Sequence, residues 1–159
     1  MAQISEWGPH LWKVLHTLAE RASTSVLADD EIRTWIHVLR LTEGALPCAM
    51  CRAHYKSWRQ SHPIDDFLGQ RGEFFQNSLR RWIWGLHESV NIQREVIADY
   101  TLSFEGLEKY KDISSKELNE SMNTLIKIFE KAVLHRQVHP TYVTEWRRAI
   151  AMLRKLLSY

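Results

Sequence analysis

The sequence predicts an all-α protein: a four-helix bundle plus a short fifth helix, followed by a C-terminal helical hairpin. Three observations carry this. Apolar residues recur with a helical period of about 3.6 along almost the whole chain. Gly (6) and Pro (4) are too scarce among 159 residues for a turn-rich all-β protein or a disordered chain. The few prolines and Pro-flanking residues fall where helices start and stop. A chain of 159 residues also buries a sizeable core without disulfide staples.

Taken in order, Pro9 is expected to open a first helix running to about Arg21, with Leu11, Trp12, Leu15, His16 and Ala19 on one face. A second starts at Asp29 or Asp30, whose carboxylates suit a helix N-terminus, and runs to about Glu43 with Ile32, Trp35, Ile36 and Leu39 inward; Gly44 punctuates it. Leu46-Pro47 leads into a third, from about Cys48 to Gln60, closed by His62-Pro63. The fourth runs from about Glu73 to Asn91 or Arg94 and carries Phe74, Phe75, Leu79, Trp82, Ile83, Leu86 and Val90. Ser103 caps a brief fifth helix through Tyr110. Two more helices, about Lys116 to Arg136 and Thr141 to Leu157, flank His139-Pro140 and form the hairpin, with stripes of Leu118, Met122, Leu125, Phe129, Ala132 and Val133 on one and Val143, Trp146, Ile150, Leu153 and Leu157 on the other. Charge supports a boundary: residues 1–111 hold 13 basic and 14 acidic side chains, residues 112–159 hold 8 and 5.

The net charge is +2 and the basic residues are scattered, so no footprint for nucleic acid is evident. No window approaches the uncharged length of a membrane span, and Met1 to Trp7 lacks a basic segment followed by an apolar one. The expectation is a soluble, cytoplasmic protein, with neither nucleic acid nor membrane as partner.

Cys48-Ala49-Met50-Cys51 contains both cysteines of the chain. At i and i+3 of a helix start the two sulfurs share a face and can pair. The helix N-terminus stabilises thiolate, the reacting species, which makes Cys48 the better nucleophile. A structural staple closing so short a loop would gain only about 2 kcal/mol. A zinc site needs four ligands, but there is no second pair and His135 with His139 lies far along the chain. Spacing alone leaves open a redox disulfide, a metal site and two incidental thiols. The classes to be weighed are therefore an oxidoreductase, a metal-binding regulator and a non-enzymatic helical interaction protein.

Trp12 and His16 lie one turn apart on the first helix, and Trp84, His87 and Asn91 share a face of the fourth. Such aromatic faces are commonly core. Here they coincide with a third helix bearing Cys48, Cys51 and His54, and flat apolar rings with a few aimed donors suit a planar heterocyclic cofactor. Trp7-Gly8-x-x-x-Trp12-x-x-Leu15-His16, Cys48-x-x-Cys51-x-x-His54 and Trp82-x-x-x-x-His87-x-x-Val90-Asn91 occur in order. In these three motifs the sequence resembles the FAD-linked sulfhydryl oxidases of the Erv/ALR type over roughly residues 5–111, and most of all the minimal, single-Cys-x-x-Cys members of large DNA viruses.

The resemblance implies an FAD-binding sulfhydryl oxidase domain over residues 1–111 and a helical extension over 112–159 that packs or interacts. It implies one FAD held non-covalently, with Cys51 as the flavin-proximal thiol and Cys48 as the thiol that exchanges with substrate. Gly8, Trp12, His16, His54, His87 and Asn91 fall on cofactor-binding positions, and Arg94 and Tyr110 near the basic and aromatic residues at the adenine end. The implied electron path runs from a protein dithiol, or a thioredoxin-like redox partner, through Cys48-Cys51 and FAD to molecular oxygen, giving hydrogen peroxide. The family also implies a homodimer through the first two helices. The sequence departs from the family in three respects: Glu88 stands where Asn is usual, the basic run after Asn91 is thinned to Ile92-Gln93-Arg94, and no shuttle or structural cysteine pair accompanies the first.

Overall fold

Six α-helices and two short 3₁₀ segments make up residues 3–94 and 103–159, which a computed structural model of the chain describes. The helices are α1 (Ile4–Ala19), α2 (Ala28–Ala45), α3 (Ala49–Ser61), α4 (Gly72–Gln93), α5 (Ser115–Leu134) and α6 (Pro140–Leu156); 3₁₀ segments occupy Ile64–Phe67 and Glu105–Asp112. No strand occurs among the described residues, so the chain is all-α.

Helix α1 begins five residues before Pro9. Gln3 caps it and its N–H donates to the Glu6 carboxylate at 2.8 Å, so the start is set by this reciprocal pair and Pro9 lies inside the helix. Gly44 likewise lies inside α2 instead of ending it; a Cβ there would collide with the ring of Tyr142 on α6, so its absence is what lets the two helices approach. Phe74 faces solvent, one position out of phase with the buried Phe75, Leu79, Trp82, Ile83 and Leu86 of α4. The short fifth segment is 3₁₀ and covers Glu105–Asp112; the hydroxyl of Ser103 accepts from the Gly106 N–H at 3.0 Å.

Helices α1 and α4 run antiparallel, and at their far end the Arg80 Nε donates to the buried Glu20 carboxylate at 2.8 Å. Helix α3 leans on α2 through the Tyr55 hydroxyl, which donates to the Leu39 carbonyl, and on α4 through Trp58, whose ring lies 2.7 Å from where a Cβ on Gly85 would stand. Helices α5 and α6 form an antiparallel pair joined by Phe129 against Trp146, but each makes its larger contact with the bundle, α5 along α1 and α6 along α2. The Trp146 indole donates to the Thr42 hydroxyl at 3.0 Å, and that hydroxyl donates to the Val38 carbonyl at 2.8 Å, a closed buried relay between α6 and α2. Leu118, Leu125, Phe129, Trp146, Ile150 and Leu153 are fully buried in the same core as Val14, Leu15, Trp35 and Leu39. No helix among the described residues is long and apolar enough to cross a membrane.

Candidate functional site

Cys48 is the residue before the first turn of α3. Its backbone is extended, and its Sγ accepts from the Cys51 N–H at 3.1 Å, which places sulfur at the positive end of the helix. The two cysteines form a disulfide, their Cα atoms 5.1 Å apart. Arg52 fixes the approach of the chain by donating from its guanidinium to the Leu46 carbonyl at 2.6 Å.

The disulfide forms part of the wall of a cavity of about 230 Å³. The rest of the wall is mostly apolar: Trp7, Leu11, Trp12 and Leu15 from α1, Leu46 and Tyr55, and Leu86 and Val90 from α4, with His54 and Arg94 as the polar edge. That volume lies below the roughly 300–1,000 Å³ of pockets that engulf a drug-sized ligand, so the cavity suits one planar ring system better than an entire dinucleotide.

His54 sits one turn beyond Cys51. Its Nε2 lies 2.8 Å from the Ser89 hydroxyl, which gives its only proton to the Leu86 carbonyl at 2.7 Å. Ser89 can therefore only accept from His54, so Nε2 carries the ring proton and Nδ1 is left as an acceptor. Burial lowers the pKa of His54, which favours this neutral form.

A second cluster joins α1, α4 and the segment Glu105–Asp112. Trp12 stacks on His87 with ring centroids 4.2 Å apart and planes 10° from parallel. His16 Nε2 lies 3.0 Å from His87 Nδ1, and its ring stacks on Tyr110 at 4.8 Å. A hydrogen bond between two imidazole nitrogens needs one donor and one acceptor, so the bonded pair shares a single proton. Burial holds His16 well below the usual histidine range, helped by His87, Lys109 and Arg80; burial and then Lys109 push His87 down to about 4. Burial raises the pKa of the Tyr110 hydroxyl.

The structure thus brings together Trp12, Cys48, Cys51, His54 and Arg94 around the cavity, and His16, His87 and Tyr110 in the ring cluster that Trp12 links to it. Gly8 is buried on α1 one turn before Trp12. Asn91 is 6% exposed and its Nδ2 has no hydrogen-bond partner among the described residues, as is true of the buried Trp7 Nε1 and Glu88 Oε1. Trp84, on the same face of the unbroken α4 as His87 and Asn91, meets the edge of Phe104 at 5.9 Å. Residues the sequence reading passed over include Ser89 and the pair Glu20 and Arg80. Glu20 stands one turn past His16 and Arg80 two turns before His87, a helical spacing that was available as a signal.

Comparisons with known proteins agree with the geometry. The chain matches the family model of the Erv1/Alr family over residues 9–111, a span that contains both cysteines, His54 and the ring cluster. It is 29% identical over 85 residues to FAD-linked sulfhydryl oxidases from two isolates of African swine fever virus, covering 54% of this chain and 65% of each relative. The match therefore spans somewhat less than two thirds of those relatives' length. No solved structure matches the chain. A match that runs over most of the chain and takes in its disulfide helix and the helices around the cavity shows that the chain belongs to the Erv1/Alr family.

Proposed function

We propose that this protein is an FAD-dependent thiol oxidase that makes disulfides in protein substrates. The observation that carries the reading is a Cys-x-x-Cys disulfide at a helix N-terminus forming part of the wall of an apolar cavity between helices. The cavity residues fit the flat ring of a flavin: Trp7, Leu11, Leu15 and Leu86 supply apolar faces, and Nε1 of Trp7 is a buried donor without a partner among the described residues, as expected where a ligand supplies an acceptor. Tyr110, backed by the stacked His16 ring, offers an aromatic residue for the adenine end, and Arg94 a cation for phosphate.

Bound there, FAD supplies a two-electron acceptor for a dithiol and returns those electrons to oxygen as hydrogen peroxide. The protein's own part is thiol–disulfide exchange. A substrate thiolate attacks Cys48 Sγ, the Cys48–Cys51 bond breaks, and Cys51 leaves as thiolate; the substrate's second thiolate then attacks the substrate sulfur of the mixed disulfide and releases Cys48. The substrate has lost two electrons and two protons, and the pair is a dithiol. The N–H groups at the start of α3 stabilise the sulfur anions, and His54 Nδ1 is an acceptor for a thiol proton.

With both cysteines in one pair, the electron donor is a protein dithiol or a thioredoxin-like redox partner acting directly on Cys48. We assign this chemistry to residues 1–111, and to residues 112–159 the packing of α1 and α2. A homodimer would use a surface other than the faces of α1 and α2 that α5 and α6 occupy. The test is flavin itself: purified protein, as isolated or after incubation with FAD, carries a bound flavin spectrum in one-to-one ratio. A protein that retains no flavin on gel filtration removes the reading.

A further inference from the structure

A groove of about 550 Å³ runs between α2, α3 and the turn that joins α5 to α6, and its lining on α3 starts at Arg52, the residue after Cys51. One wall is a stripe of α3. Arg52, Lys56 and Arg59 lie within about 60° of one another around α3. The facing wall comes from the extension, where His139 and Tyr142 line the groove and Gly44 gives the Tyr142 ring room to lie on α2.

The charges do not cancel. Arg59 pairs with Glu43, the one carboxylate in the lining, and Arg40 pairs with Asp65. Arg52 bonds only a neutral carbonyl and Lys56 is exposed; among the described residues neither has a carboxylate partner. Two uncompensated cations therefore line a groove that begins one turn from the redox disulfide. The rise from Cys48 to Lys56 is about 12 Å, or roughly four residues of extended chain.

We propose that this groove docks an acidic segment of the dithiol substrate, placing carboxylates against Arg52 and Lys56 while a cysteine about four residues away meets Cys48. This rests on the thiol-oxidase reading and gives residues 112–159 a second task, as one wall of the substrate groove. A polypeptide is favoured over a nucleic acid because the disulfide needs thiols, and the residues flanking those thiols are what must lie along α3.

The test separates docking from turnover. Labelled peptides in which a Ser-x-x-Ser replaces the dithiol, flanked at three to five residues by either Asp/Glu or Lys, are titrated against the flavin-loaded full chain by fluorescence anisotropy. The acidic peptide binds at least about tenfold more tightly than its lysine isomer at low salt, the difference shrinks with added salt, and Lys56→Glu weakens the acidic peptide about fivefold or more. Arg52→Gln, which removes charge without reversing it, weakens it in the same direction. With Cys-x-x-Cys versions, Lys56→Glu raises KM for the acidic peptide more than it changes kcat. Equal binding of the two peptides, or no effect of either variant, overturns the proposal; so does displacement of the acidic peptide by a single-stranded oligonucleotide at concentrations below the peptide's own Kd. Failure of wild-type protein to consume oxygen with dithiothreitol would instead overturn the oxidase reading, and the binding result would still stand on its own.

Discussion

At Cys48 the backbone passes from extended to helical, and the same sulfur that is covalently bound to Cys51 also accepts the Cys51 amide. The disulfide is thus held at the place where a released thiolate is best stabilised. His54 is prepared in a comparable way by Ser89, which accepts Nε2–H because its own proton is committed to the Leu86 carbonyl. In Ser89→Ala that preference is lost: ring-nitrogen NMR should show one tautomer of His54 in the wild type and a mixture in the variant. The buried histidines predict a pH dependence. The unfolded chain takes up protons near the ordinary value of 6.5, while the folded chain keeps His87 neutral down to about 4. A depressed folded pKa means full stability above about pH 6.5 and loss as pH falls from there towards 4. Urea midpoints should fall over that range in the wild type and fall less in His87→Gln; a flat wild-type profile would contradict burial of neutral rings. The motif residues were legible in the sequence because each sits at helical spacing from the next. Ser89 was not, because it matters only through His54, 35 residues away in sequence.

Among the elements, close approach is decided at two glycines. A Cβ on Gly85 meets the Trp58 ring, and one on Gly44 meets Tyr142. Gly85→Ala should separate α3 from α4 and cost about 1–3 kcal/mol in chemical denaturation, the usual size of overpacking in a filled core. A substitution without cost would mean that Trp58 swings aside freely. The buried relay from Trp146 through Thr42 to Val38 gives Thr42→Val a cost of about 1–3 kcal/mol, because the indole N–H is left unpaired. Helix positions were readable from the apolar period, since Ile32, Trp35, Ile36 and Leu39 or Val143, Trp146, Ile150 and Leu153 must all find cover. The errors fall where a punctuating residue has another task. Pro9 lies within α1 because Gln3 and Glu6 start the helix earlier, and Gly44 lies within α2 because Tyr142 needs its space. The 3₁₀ turn Ile64–Phe67, four residues with Ile64 and Phe67 buried, is too short to show any period.

Across the whole molecule, α5 and α6 are part of the core that holds the site's helices in place. Leu118, Leu125, Phe129, Trp146, Ile150 and Leu153 are fully buried, and burying each such side chain contributes about 1.5–3 kcal/mol, so together they rival the roughly 5–15 kcal/mol net stability of a domain. A fragment ending at residue 111 should therefore aggregate or lose cooperative unfolding by circular dichroism, although every proposed catalytic residue is present in it; a soluble fragment with unchanged melting would contradict this. The hairpin was legible as two amphipathic helices, but its seat was not, because a stripe such as Leu118, Met122, Leu125 and Phe129 says that a face is covered without saying by what. That hairpin packs on α1 and α2, and α1 in turn supplies Trp7, Leu11, Trp12 and Leu15 to the cavity against which Cys48 and Cys51 stand. The proposed route of electrons out of a dithiol runs through this one disulfide. It is tested most directly by oxygen consumption with dithiothreitol in the FAD-loaded wild type, Cys48→Ser and Cys51→Ser. The expected result is one peroxide per dithiol oxidised in the wild type and loss of turnover in both variants with flavin still bound; sustained turnover in Cys51→Ser would mean that electrons take another route.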